Sequence, residues 1–164
     1  MTNHRALLLL PAFALLAGCT DDLGGTDPGT ITLADLAGTY QAQTFEYDEN
    51  GGANRTVDLM DGGGSLSFVL STNGGFDGDL FAPFLDSPDV PFEGTFILRS
   101  QSTGRIDFDA PSLTTFTDFD IDFNFAPANF VWNAPGVLFD FTGSNDPALR
   151  TSADLTIVLV RTSP

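Results

Sequence analysis

From Gly38 onward, apolar and polar residues alternate in short runs, and glycine, proline, asparagine and aspartate break the runs at close intervals. A period of two puts successive side chains on opposite faces of a strand, so the pattern predicts half-buried strands. The clearest run is 65–71, where Leu66, Phe68 and Leu70 share one face and serines occupy much of the other. In 119–125, Phe119, Ile121, Phe123 and Phe125 stand against Asp118, Asp120, Asp122 and Asn124. Phe96 and Leu98 form the apolar face of 93–100, and Ile106 and Phe108 point inward from 105–110, with Asp107 and Asp109 outward. Further strands are predicted at 40–47, 76–81 and 153–161.

The breaks carry equal information. Thr72-Asn73-Gly74-Gly75 predicts a hairpin turn, because Asn and Gly tolerate positive φ. Stretch 48–52 reads as an acidic, Gly-rich turn, and 82–91 and 143–151 read as loops. Segments 129–133 and 137–142 are expected to form a hairpin around Ala134-Pro135-Gly136. Residues 33–36 suit one helical turn and 56–61 another, and no long amphipathic helix is present in the pattern. The expectation is an all-β fold: an antiparallel up-and-down β-barrel of about eight strands, with a β-sandwich as the alternative.

Ahead of this region, 1–5 carry one positive charge and 6–17 form an apolar run interrupted only by Pro11. That length suits a signal peptide and is too short to cross a bilayer as a helix. The run ends in Leu15-Leu16-Ala17-Gly18-Cys19, which resembles the lipobox of bacterial lipoproteins. The resemblance implies cleavage before Cys19, transfer of a diacylglyceryl group to its thiol, and acylation of the new amino terminus. Two or three acyl chains make a stable anchor where one does not. With Thr20 rather than Asp after the cysteine, the resemblance also implies the outer membrane of the cell envelope, facing the periplasm. Residues 20–30 have no hydrophobic period and are rich in Gly and Asp, so they read as a tether reaching on the order of 20 Å. The expected division is signal peptide 1–18, lipidated Cys19 with flexible linker 19–31, and barrel domain 32–164.

Composition narrows the chemistry. Twenty-two acidic residues face six arginines and no lysine, a balance that repels phosphate backbones and disfavours nucleic acid as a partner. His4 and Cys19, the single histidine and cysteine, both fall in the targeting segment. Ser–His and Cys–His nucleophiles, lysine Schiff bases and His- or Cys-ligated metals are therefore unavailable to the domain. The expectation is a non-enzyme with no catalytic residue, metal ligand or cofactor. The Asp118, Asp120, Asp122 row offers oxygen ligands for calcium, but side chains about 7 Å apart along one strand face do not converge on a point. A solvated outer face is the expected role.

Leu36-Ala37-Gly38-Thr39-Tyr40, the strand Gly-Gly-Ser-Leu-Ser-Phe-Val-Leu running into Asn73-Gly74-Gly75, then Gly94-Thr95-Phe96 and the closing Leu-Thr-Ile-Val-Leu-Val-Arg together resemble bacterial lipocalin-like domains. Gly38-Thr39-Tyr40 is similar to the Gly-x-Trp that opens the first lipocalin strand, with Tyr in place of Trp. The resemblance implies an arginine packed over that ring; Arg161 is the candidate, because first and last strands of a closed antiparallel barrel are neighbours. It further implies an apolar interior that takes a small hydrophobic molecule, with Phe68, Phe96, Phe108, Trp132, Phe139 and Phe141 as candidate lining. The alternative is a filled core in a structural or protein-interaction module of the envelope.

Overall fold

The alternation of the sequence is realised as strands almost throughout. The computed structural model describes residues 30–52, 54–85, 89–109, 118–144 and 146–163, so the signal peptide and Cys19 lie outside the described residues. In chain order the elements are a one-turn helix α1 (Leu33–Leu36), then β1 (Gly38–Glu49), β2 (Thr56–Asp58), β3 (Ser65–Leu70), β4 (Gly75–Phe81), β5 (Asp89–Leu98), β6 (Thr103–Asp109), β7 (Phe119–Ala126), β8 (Asn129–Phe139) and β9 (Thr151–Ser163). Short 3₁₀ turns occupy Asp61–Gly63 and Pro147–Leu149.

From β3 to β9 each strand pairs antiparallel with the next, β1 pairs antiparallel with β3, and β1 also pairs with β9 from Thr39↔Ser163 to Glu49↔Ala153. That last pairing closes the sheet into an eight-stranded up-and-down barrel and removes the sandwich alternative. One position in the wall is shared: β1 pairs with β3 through Gly38–Gln41 and with the short β2 through Glu46–Asp48. The 56–61 stretch thus contributes a strand, followed by the 3₁₀ turn, where a helical turn was expected. Strand β5 begins at Asp89, inside the expected 82–91 loop.

Side chains at alternate positions fill the interior. Leu66, Phe68 and Leu70 of β3, Phe76 and Leu80 of β4, Val90, Phe92 and Phe96 of β5, and Ile121 and Phe123 of β7 are all buried. The outward positions of β7 (Asp120, Asp122 and Asn124) are exposed. Polar-out and apolar-in is the reverse of the pattern with which a membrane-spanning barrel faces lipid.

Besides a register shift between Thr39 and Tyr40 at the end of the β1–β9 ladder, two bulges change the inward set. The β1–β9 register shifts between Ala42 and Thr44, so the inward set changes from Tyr40 to Phe45 and Tyr47. The β8–β9 register shifts between Ala134 and Val137, carrying the inward set from Phe130, Trp132 and Ala134 to Phe139. Here the expected hairpin around Ala134-Pro135-Gly136 is corrected to one continuous strand with a bulge. β9 runs alongside both halves, Gly136 takes φ +72°, and its N–H donates to Asp154 Oδ1 at 3.1 Å. Pro135 has no N–H to lose, and the carboxylate satisfies the one the bulge releases, so the chain continues without reversing.

Among the described residues, side chains pack over each end of the barrel. At one end α1 lies against the core with Leu36 fully buried, started by a capping box between Thr32 and Asp35. Ile31, assigned to the linker from the sequence, packs on the core and donates its N–H to Gln101 Oε1, so the folded chain includes it. At the other end the rings of Tyr47 and Phe139 stack at 3.8 Å and 7°, with Phe84 and Phe141 packed on Phe139.

Candidate functional site

The barrel interior is a stack of aromatic rings around a small void. The void is lined by Phe45, Leu66, Phe68, Phe76, Leu80, Val90, Phe92, Phe108, Phe119, Trp132 and Ile157, and its free volume is about 20 Å³. That is room for roughly one water, whereas ligand pockets run to about 300 Å³ or more. A water needs at least two polar partners, and this wall is hydrocarbon and ring except for one indole N–H. Nine of the lining side chains are buried; Phe108 and Phe119 are half-buried. These two sit where the β6–β7 ladder ends, at Ile106↔Phe119.

The sequence-derived lining residues fall in three places. Phe68, Phe108 and Trp132 are on the void. Phe96 lies beyond it, packed against Phe123, Phe130 and Trp132 at centroid distances of 5.8, 5.9 and 6.1 Å. Phe139 and Phe141 belong to the end opposite α1, where the Arg55 guanidinium lies 4.8 Å over the Phe141 ring. Phe76 and Phe92, which the sequence reading did not select, follow the same alternation as their neighbours and were legible in it. Phe45 was not, because the β1 bulge moves it inward.

The wall contains an unmatched donor. Trp132 is 5 % exposed, and its Nε1 is buried with no hydrogen-bond partner. Its ring packs on Phe68 at 5.6 Å and edge-on to Phe130 at 5.3 Å. A buried N–H left unpaired costs about 1–3 kcal/mol.

Tyr40 and Arg161 are register partners across the β1–β9 seam. The expected lid over the ring is corrected, however. The Tyr40 ring stacks on Phe68 at 5.4 Å and 23°, and its hydroxyl donates to Leu36 O at 2.5 Å. The Arg161 guanidinium instead donates to Asp35 O (3.3 Å) and Ala37 O. Carbonyls left free at the end of a helical turn are strong acceptors, and they draw the guanidinium away from a ring face that is already occupied. Burial raises the Tyr40 hydroxyl above its ordinary pKa, opposed by the Arg161 charge.

Several acidic groups outside the core are tied to arginines or to backbone. Arg99 pairs with Asp120 at 2.9 Å, and Arg105 pairs with Asp118 at 2.9 Å and with Asp107. Bidentate hydrogen bonds from Arg55 (2.9 and 2.5 Å) hold Glu49 down to about 2 against the effect of burial, with help from the Arg55 charge and a bond from Thr151. Among the described residues no group of three or more His, Cys, Asp or Glu is placed to hold a metal ion.

No protein-family model and no curated protein matches the chain. Among solved structures it is similar to a redesigned β-barrel, b11L5F_LGL, with 16 % identity, TM-score 0.48, and coverage of 80 % of this chain and 95 % of that one. It is also similar to EF1p2_mFAP2b bound to DFHBI, with 22 % identity, TM-score 0.49, and coverage of 79 % and 95 %. Similarity at this level defines neither a family nor a ligand for this chain. Fold and interior together define the class: a closed antiparallel barrel with an apolar, aromatic interior.

Proposed function

We propose that this chain is a lipid-tethered, non-catalytic barrel of the bacterial cell envelope that takes a small apolar molecule into its interior. The observation that supports the binding reading is the composition of the void wall, eleven apolar or aromatic side chains with two half-buried rings, Phe108 and Phe119, at the end of a strand ladder. Entry requires those rings to swing, since the free volume of about 20 Å³ is far below that of a ligand. The tether rests on Cys19 as acylation site with the tripeptide before it, and the outer-membrane address facing the periplasm rests on Thr20 after it.

A second reading is favoured by the size of that void: the interior is filled core, and the protein is a structural or interaction module that works through its surface. Native mass spectrometry of the protein purified from a bacterial host without added lipid separates the two. A co-purifying small molecule, lost on unfolding, supports the binding reading; bare protein that also takes up none of a panel of fatty acids supports the filled barrel. For the anchor, Cys19→Ser releases the chain from the membrane fraction, and unchanged fractionation overturns the lipoprotein reading.

A further inference from the structure

We propose that the groove between β7 and β8 takes up an extended peptide segment of alternating basic and apolar residues, which adds as a strand to the free edge of β8. The two strands separate midway: their ladder stops at Asp122↔Asn133. Beyond that point β8 runs on to Phe139 with β9 as its only partner among the described residues, and β7 runs back to Phe119 paired with β6 alone. Alternate N–H and C=O groups of a strand point to each side, so 134–139 offers backbone groups towards β7 that no described strand takes up. The opening is a groove of about 610 Å³, with Asp118–Asp122 along one side and Pro135–Leu138 along the other. An edge of this kind is a template for an added strand, held by main-chain bonds and selected by its alternate side chains.

The two faces of the groove differ. Phe119 and Val137 are half-buried against the core and mark the inward side, where apolar residues of the segment pack. Outward stand Asp118, Asp120 and Asp122, all exposed. Arg105 and Arg99 offset the first two, but among the described residues no arginine pairs with Asp122. Leu138, 53 % exposed, lies across from this row and suits the aliphatic stem of a lysine or arginine. A formal charge of -16 attracts a basic segment and repels a second copy of this chain. The inference does not depend on whether the interior holds a ligand.

Fluorescence anisotropy with dye-labelled Lys-Val-Lys-Val-Lys-Val and the full chain tests this. The comparison peptides are Glu-Val-Glu-Val-Glu-Val and copies of the basic peptide N-methylated at alternate residues, in either phase. The basic peptide is expected to bind about tenfold or more tightly than the acidic one. N-methylation in either phase should weaken it by about tenfold, because each phase removes the donors to one edge. Asp122→Lys, an exposed change, should weaken it about three- to tenfold. Amide exchange between Ala134 and Phe139 should slow when the peptide is bound. Equal binding of methylated and unmethylated basic peptides would mean diffuse attraction to an acidic surface and overturns the edge. Absence of binding also overturns the proposal, and amide exchange of the free chain then says what fills the edge. Protection at every protein concentration means the chain's own residues, and protection that grows with concentration means a second copy.

Discussion

Asp140 is the one charged side chain among the fully buried described residues, at 1 % exposure, and it organises the loop that follows β8. Its Oδ1 accepts from Thr142 N (2.8 Å) and Thr142 Oγ1 (2.7 Å), and its Oδ2 from Ser144 Oγ (2.8 Å) and Asp146 N (3.1 Å). Burial works to raise the carboxyl pKa, but these four donors together outweigh it and hold the group down to about 2. An unfolded Asp titrates near 3.9, so the folded value lies below the unfolded one. The stabilisation is therefore complete above about pH 5 and is lost as pH falls through 4 towards 2. A difference of nearly two units corresponds to roughly 2.5 kcal/mol. Asp140→Asn keeps one oxygen for Thr142 but turns an amide towards the Asp146 N–H, so two donors meet. The variant is expected to be about 2–3 kcal/mol less stable at pH 7. Urea unfolding followed by Trp132 fluorescence, at pH 7, 4 and 2.5, measures this. Glu49, Asp35 and Asp154 also titrate low, and their contributions cancel in the difference between the two proteins. The gap between wild type and variant should shrink by about 2 kcal/mol between pH 7 and pH 2.5. A gap that stays constant over that range, or one below about 0.5 kcal/mol at pH 7, refutes the reasoning.

Gly94 faces Phe76 on one neighbouring strand and Phe108 on the other, and a Cβ there would lie 2.3 Å from Asp107 O and 2.5 Å from Phe76 Cζ. Gly94→Ala should cost about 1–3 kcal/mol by overpacking, and an unchanged melting temperature would show that the barrel wall yields easily there. Arg161→Met keeps the aliphatic stem and removes the bonds to Asp35 O and Ala37 O. Amide exchange at Leu36 and Ala37 should quicken about fivefold or more, and unchanged protection would mean that α1 is held by Leu36 packing alone. Asp154→Ala withdraws the acceptor from Gly136 N and from Asn50 Nδ2 (2.7 Å) at the β8 bulge. A small but measurable loss of stability in a denaturant titration is expected, and a neutral result would mean that solvent replaces the carboxylate at no cost.

Period-two alternation and turn residues are properties of a few adjacent side chains, and most of the barrel was readable from them. The strands around Leu66, Phe96, Ile106 and Phe123, the turn at Asn73-Gly74 and the outward row of Asp120 and Asp122 all follow from residues within one or two positions of each other. So does the lack of His, Cys and Lys in the domain, which limits its chemistry whatever the fold. What alternation cannot carry is register across a bulge, because the compensating partner is remote. Pro135-Gly136 reads locally as a turn, and only the continuous ladder to β9, with Asp154 accepting the freed N–H, makes it a bulge. The same holds for Phe45, brought inward by the shift near Ala42, and for Arg161, whose destination is set by carbonyls 124 and 126 residues earlier in the chain. Closure of β1 on β9 and the size of the void were likewise tertiary outcomes. Composition supplies many rings, but how much space they leave depends on how eight strands arrange them, and here they leave about 20 Å³ and one unpaired indole N–H.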